Sequence, residues 1–238
     1  MEEKDLYRMI EERERYVSLA FPALMRKVYV WMALALVITS FTAYGVAGSP
    51  ALLSLIFGNR IIFWGLIIGE LALVWGVTAA IGRLSLTTAT LLFVLYSVIN
   101  GATLSVIFIA FSASVITKTF LVTAGTFGVM SLIGYTTKTD LTSVGKLLFM
   151  ALIGIIIATV VNIFVKSSTL DLIVSYIGVI IFVGLTAYDT QKIKRMLAAA
   201  DTMDESMQKM ALLGALNLYL DFINLFLFLL RIFGGNRN

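Results

Sequence analysis

Lys146-Leu-Leu-Phe-Met-Ala-Leu-Ile-Gly-Ile-Ile-Ile-Ala-Thr-Val-Val-Asn-Ile-Phe-Val165 carries one charge, at its first position. At 1.5 Å per residue, such a run is long enough to cross a hydrocarbon core of roughly 30 Å as a helix. Six further runs of the same kind flank it: Val28–Ala47, Ile61–Gly82, Thr87–Phe111, Thr119–Thr136, Leu172–Tyr188 and Ala211–Phe233. The whole chain is 60% hydrophobic and 13% charged, where a soluble domain has about 25% charged residues. The expected fold is therefore an all-α membrane protein, a bundle of seven transmembrane helices over residues 28–235. No internal repeat is evident, which disfavours transporters built from inverted repeats.

Orientation follows from the basic residues in the flanking loops. With the N-terminus inside, thirteen Lys and Arg fall on the cytosolic side and five on the outer side. The expectation is N-terminus in and C-terminus out, in the inner membrane if the source is a bacterium. Residues 1–27 are dense in charge of both signs, including Glu2, Glu3, Lys4, Asp5 and Arg8. They are too acidic for a signal peptide and read as a retained cytosolic segment, a helix along the membrane surface. The polar stretch Thr190–Lys209 is expected to carry an extra cytosolic turn or helix.

The chain has no cysteine and no histidine. Disulfides, thiolate catalysis, Cys/His zinc sites and histidine proton relays are thereby excluded. No Walker A loop, His-Glu-x-x-His or Gly-x-Ser-x-Gly is present, and the run Ala211–Phe233 has no lysine for a retinal Schiff base. The basic residues sit beside acidic ones at loop ends, so nucleic acid is not an expected partner. The expectation is a protein without catalytic residues or cofactor.

Acidic residues within the spans attract attention because a central aspartate costs about 2.5–3.5 kcal/mol on insertion scales. At 100° per residue Gly214, Asn217, Asp221 and Asn224 share one face, within about 80°. That polar stripe must face protein or water. Either it makes interhelical hydrogen bonds, or it carries function. Asp189 closes the sixth run and is equally read as an interfacial aspartate solvated beside Lys192, Lys194 and Arg195. Glu70 lies nine residues into the second run with no other ionisable group on its helix; a partner must come from elsewhere, or the acid is simply protonated. Arg83 follows the same run, where a topology anchor is the plain reading. Gly65, Gly69, Gly101, Gly125, Gly128, Gly154, Gly178 and Gly184 are expected at close helix contacts.

Gly184-Leu-Thr-Ala-Tyr-Asp189-Thr-Gln191 and Leu218-Tyr-Leu-Asp221-Phe-Ile-Asn224-Leu-Phe226, closed by Leu230-Arg-Ile-Phe-Gly234, resemble the Bax inhibitor-1, or transmembrane Bax inhibitor motif, family. Tyr135-Thr-Thr-Lys-Thr-Asp-Leu141 fits the loop after the fourth helix in its bacterial YccA-like branch. The resemblance covers residues 24–235. It implies seven helices and a pH-sensitive calcium leak, with Asp189 and Asp221 as the paired pH sensor and Arg83 as a latch on the sixth-helix aspartate. Asp189 and Asp221 would then contact calcium in transit, and Asn217, Asn224 and Glu70 would border the ion pathway.

Two carboxyls in contact cannot both ionise cheaply, so such a pair shares a proton and titrates as one system. Depth tests the pairing. If the seventh helix enters the bilayer at Ala211, Asp221 lies about 15 Å deep, while Asp189 is near the surface. Contact requires that the seventh helix enter nearer Gly214–Asn217, or that the sixth stay buried through Asp189. The main alternative function is a non-transporting regulator that binds a membrane quality-control protease or another membrane protein, with the charged N-terminal segment as its handle. An intramembrane aspartyl protease is disfavoured: the sequence before Asp221 is Tyr219-Leu220, and the only prolines are Pro22 and Pro50.

Overall fold

The computed structural model describes residues 3–198 and 204–235, with side chains from Phe21 onward. Among the described residues it is all-helical: α1 Glu3–Ala47, α2 Pro50–Phe57, α3 Arg60–Ala80, α4 Leu86–Leu104, α5 Ile107–Ala110, α6 Ala113–Thr136, α7 Thr142–Val165, α8 Ser168–Ala198 and α9 Glu205–Gly234. Seven of its stretches are long and apolar enough to cross a membrane, with α4 and α5 together forming the third, Leu86–Ala110.

Hydropathy marks where a helix is apolar, not where it ends. The helices outrun several predicted runs for this reason. α1 continues from Glu3 through Pro22 to Ala47 without a break, and among the described residues it has a membrane-length stretch over Phe21–Ala47. The charged N-terminal segment is thus part of the first long helix rather than a separate surface helix; the side chains of its acidic and basic cluster lie outside the described residues. α8 likewise continues to Ala198 and α9 begins at Glu205. The stretch expected to hold an extra turn is largely absorbed into these two helices, and residues 199–203 lie outside the description. α9 therefore includes Lys209, whose Nζ donates to the Leu84 carbonyl at 2.9 Å.

Local chemistry sets the other ends. Ser49 caps α2, accepting from the Leu52 amide, with Pro50 at the first position, where its missing N–H is no loss. This short helix was not expected from the sequence. Asn59 caps α3 through the Ile61 and Ile62 amides. Asp140 Oδ1 accepts from both the amide and hydroxyl of Thr142 at the start of α7. Lys166 ends α7 in the left-handed region at φ 53°, so a residue with a Cβ stands where glycine is usual.

The sequence reads as one seven-helix domain, but contacts divide the chain into two compact units. One comprises Met1–Ser105 with Ile193–Leu216, the other Val106–Lys192 with Asn217–Asn238. In the first, α1 packs most extensively on α4. Gly101 makes that approach close: a Cβ there would collide with the Thr39 carbonyl and the Thr42 side chain, and Thr39 Oγ1 donates to the Ser97 carbonyl at 3.0 Å. The polar edge of this unit is tied by Lys27 Nζ to Gln208 Oε1 at 2.9 Å and by the Leu86 amide to Glu205 Oε1 at 2.8 Å.

In the second unit, the ring of Phe222 on α9 meets Phe120 and Phe127 of α6 at 5.7 and 5.5 Å. Phe182 of α8 stacks on Phe228 of α9 at 5.8 Å. Leu218, Tyr219 and Leu225 are fully buried. α9 has the most buried of the membrane-length windows, 67% against 6% for α3 and α7. Its apolar bulk is therefore core, while α3 and α7 turn most of their surface outward. The glycine expectation divides accordingly. Gly101, Gly178 and Gly184 stand at close contacts, but a Cβ on Gly65, Gly69, Gly125, Gly128 or Gly154 would meet nothing within 4 Å.

Candidate functional site

The centre of the second unit is the α8 segment from Gly184 to Gln191. Three contacts seat it. A Cβ on Gly184 would strike the Leu148 side chain of α7, and one on Gly134 of α6 would strike the backbone of Ala187. The Tyr188 ring lies over Gly145 and meets Phe149 edge-on at 6.1 Å. With small residues at these two glycines, α6 and α7 approach α8 closely, and the polar residues that follow Tyr188 stay inside.

Asp189 is 6% exposed and Asp221 5%. Their carboxyls are hydrogen-bonded to each other. Two carboxyls can hydrogen-bond directly only while one of them carries a proton, because an ionised carboxylate only accepts. Among the described residues, the remaining oxygens Asp189 Oδ1 and Asp221 Oδ2 have no hydrogen-bond partner, and neither do the buried hydroxyls of Ser131 and Thr190. Burial on α8 continues past Asp189 to Thr190 at 0% and Gln191 at 4% exposure. Polar groups are thus retained inside where the hydropathy of the sequence has already fallen.

Among the described residues, Lys192 is a cation whose charge acts on both carboxyls. Its side chain is exposed, with Nζ 5.9 Å from the centre of the Tyr188 ring. Lys192 entered the sequence reading as a solvating neighbour of a surface Asp189; instead the lysine is at the surface and the aspartate beneath it. Arg83 is exposed on the turn after α3 and belongs to the first unit. Asn224 is half-buried and returns its amide to the Leu220 carbonyl of its own helix at 2.8 Å. Asn217 is half-buried, one turn before Asp221.

Glu70 is half-buried in the first unit, and its partners come from α4. Thr103 Oγ1 lies 2.6 Å from Oε1, and Asn100 Nδ2 donates to Oε2 at 3.4 Å. Both are neutral groups, so among the described residues the carboxyl is held by hydrogen bonds.

Sequence reasoning missed Gln191. Its Oε1 accepts from the Leu141 amide at 2.9 Å and its Nε2 donates to the Thr139 carbonyl at 2.7 Å. Nothing in the sequence marks a glutamine at a helix end as a clamp on a backbone fifty residues away. Its place directly after the Asp189 motif was the available signal. As for metal, the described residues hold no group of three or more His, Cys, Asp or Glu that could bind an ion. Calcium takes six to eight oxygen ligands, so two carboxyls suit brief contact better than storage.

Seven membrane-length helices and a buried, directly paired couple of carboxyls define a multi-pass membrane protein with an ionisable site inside its helical core. The chain matches the family described as inhibitor of apoptosis-promoting Bax1 over residues 22–238, and it belongs to that Bax inhibitor-1 family. It is 56% identical over 214 residues to the inner membrane protein YbhL of Escherichia coli K12, covering 90% of this chain and 92% of YbhL. An uncharacterized protein of Borreliella burgdorferi is 45% identical over 214 residues, 90% of this chain and 92% of its own. One from Rickettsia prowazekii is 42% identical over 218 residues, 90% of each. The similarity is thus to YbhL and not specifically to the YccA-like branch. Like YbhL, the chain is a multi-pass inner-membrane protein.

Proposed function

We propose that this protein is a pH-sensitive calcium leak whose gate is the Asp189–Asp221 pair. The observation that carries the proposal is the direct hydrogen bond between two buried carboxyls. A pair that shares one proton changes its net charge by one unit when that proton leaves. Two adjacent anions in a poorly solvated site then repel. Separation of α8 from α9 at this level, or entry of a cation, relieves the repulsion. The unpartnered oxygens of the pair supply hard ligands for such a cation, and calcium is the ion best matched to carboxylates that can each offer two oxygens. The resemblance to the Bax inhibitor-1 family adds a third means of relief, neutralisation by Arg83 as a latch. The proposal involves no catalytic step and no resident cofactor.

Proteoliposomes holding a calcium indicator test the proposal. Calcium entry should exceed that of protein-free vesicles and should change across roughly pH 5 to 8, since two carboxyls sharing a site release their second proton well above the ordinary carboxylate range. Calcium entry equal to that of empty vesicles at every pH would refute the leak.

A further inference from the structure

We propose that an open groove in the second unit binds one anionic phospholipid of the surrounding bilayer, with Lys118 against the lipid phosphate and an acyl chain along the groove. The described lining residues exclude Asp189 and Asp221, and the inference does not depend on the calcium leak.

The groove lies where α6 and α8 begin and α9 ends, all within the second unit. On α6, Thr119, Thr123 and Phe127 are buried, and the Phe127 ring meets Phe222 of α9 at 5.5 Å. Lys118 and Val122, four positions apart and so on one face, are exposed. With Leu121 they form one wall; Leu172 and Tyr176 of α8 and Phe233 of α9 complete the lining used here. These side chains are exposed as well, so among the described residues nothing covers them. The space they enclose is about 780 Å³, within the roughly 300–1,000 Å³ of ligand sites. At 1.5 Å per residue, Val122 lies about 14 Å along α6 from Ala113, and Tyr176 about 12 Å along α8 from Ser168. The groove therefore runs from the helix ends, at the level of lipid headgroups, into the depth of the acyl chains.

Charge selects among lipids. Lys118 is the charged residue among those described in the lining, and it has no ion pair or hydrogen bond among the described residues. A lysine within a span is costly unless its ammonium reaches the interface or an anion. Lys118 stands about 7.5 Å along α6 from Ala113, so its stem covers apolar wall while the ammonium rises to the level of a phosphate. The cation at the rim is different: Arg231 Nη1 lies 3.6 Å from Asp171 Oδ1, and its guanidinium is 5.5 Å from the centre of the Phe228 ring. That ion pair is neutral in sum, so the charge left for a ligand is the one on Lys118. An anionic headgroup balances it and a zwitterionic one does not. On the opposite wall Tyr176 supplies an amphipathic ring of the kind common at membrane interfaces.

Native mass spectrometry of the delipidated full-length protein in a non-ionic detergent tests the site, with phosphatidylglycerol and phosphatidylcholine of identical chains as probes. The wild type should retain one phosphatidylglycerol about fivefold more tightly than phosphatidylcholine, the usual gain from one basic residue at an anionic membrane surface. Millimolar inorganic phosphate should not displace it, since the acyl chain contributes to binding. Lys118→Gln should bring the two lipids level, and Leu121→Trp, which fills the groove, should weaken both. Lys166→Asn removes a positive charge outside the described lining, next to the start of α8, at a left-handed position that asparagine accepts; it should leave the preference intact. Calcium flux enters none of these readouts, so the lipid site and the leak stand or fall separately. Equal retention of the two lipids by the wild type, which needs no variant to fold, would overturn the site. So would phosphatidylglycerol binding unchanged by either Lys118→Gln or Leu121→Trp, displacement by phosphate alone, or a second copy of the chain bound in place of lipid.

Discussion

Two aspartates, 32 positions apart in the chain, share a hydrogen bond in the interior, and much of the chemistry available to the site follows from that contact. Two cations, Lys192 and the latch that the family resemblance implies, Arg83, differ in what they can do. Lys192 is a point charge at the surface above the pair, whereas Arg83 offers a planar fork that can grip a carboxylate at two points. If Arg83 latches the ionised pair, Arg83→Lys retains the charge but loses the fork. Gating should then change in Arg83→Lys nearly as much as in Arg83→Ala, read as the pH at half-maximal calcium flux. Wild-type gating in both variants would reduce Arg83 to a topology anchor. The two acids were legible at the residue level because an acid inside a membrane is conspicuous: Asp221 stands out on a polar stripe of a helix otherwise rich in Leu and Phe. What could not be read were partners that look ordinary. Thr103 and Asn100 hold Glu70, and Gln191 holds a loop, through neutral groups that occur throughout the polar parts of any chain.

Among the elements, α8 is the one around which the second unit is arranged, and its seats can be tested separately from its chemistry. A Cβ on Gly134 would run into the backbone of Ala187, which has no side chain to swing aside. Gly134→Val should therefore destabilise the protein by about 1–3 kcal/mol or more, the usual range for overpacking. Gly125, on the same helix, faces open space. Gly125→Ala should be neutral or stabilising by up to about 1 kcal/mol, since alanine is the better helix former. Thermal unfolding of the two variants in the same detergent decides the matter, and equal midpoints would contradict the close α6–α8 contact. The sequence shows both glycines identically, as small residues in an apolar run. Only the crossing of helices distinguishes a seat from a gap, which explains why the glycine expectation succeeded at Gly101, Gly178 and Gly184 and failed at Gly65, Gly69, Gly125, Gly128 and Gly154. The element ends were obscured for a related reason. Residues such as Thr190, Gln191 and Lys192 end an apolar run without ending α8, whose backbone bonds continue to Ala198.

For the molecule as a whole, seven membrane-length helices follow from charge-free runs that the sequence displays openly. From their number and the bias of thirteen basic residues against five, we propose that the termini lie on opposite sides, the C-terminus outside. A reporter fused at Asn238 that is active only on the outer face should score positive there, and a cytosolic score would contradict the odd count. The division into two units was not legible, because α8 and α9 each contribute to both and neither is interrupted by a break that a reader could find. The central claim is that the two carboxyls act as one titrating gate, and the most direct test is calcium flux as a function of pH in wild-type, Asp189→Asn, Asp221→Asn and doubly substituted protein in the same vesicles. Asparagine keeps a hydrogen bond but cannot ionise, so each single variant should fold and flatten the pH response. Because coupled residues are not additive, the double variant should lose little more than either alone. A double variant that responds to pH as the wild type does would contradict the account.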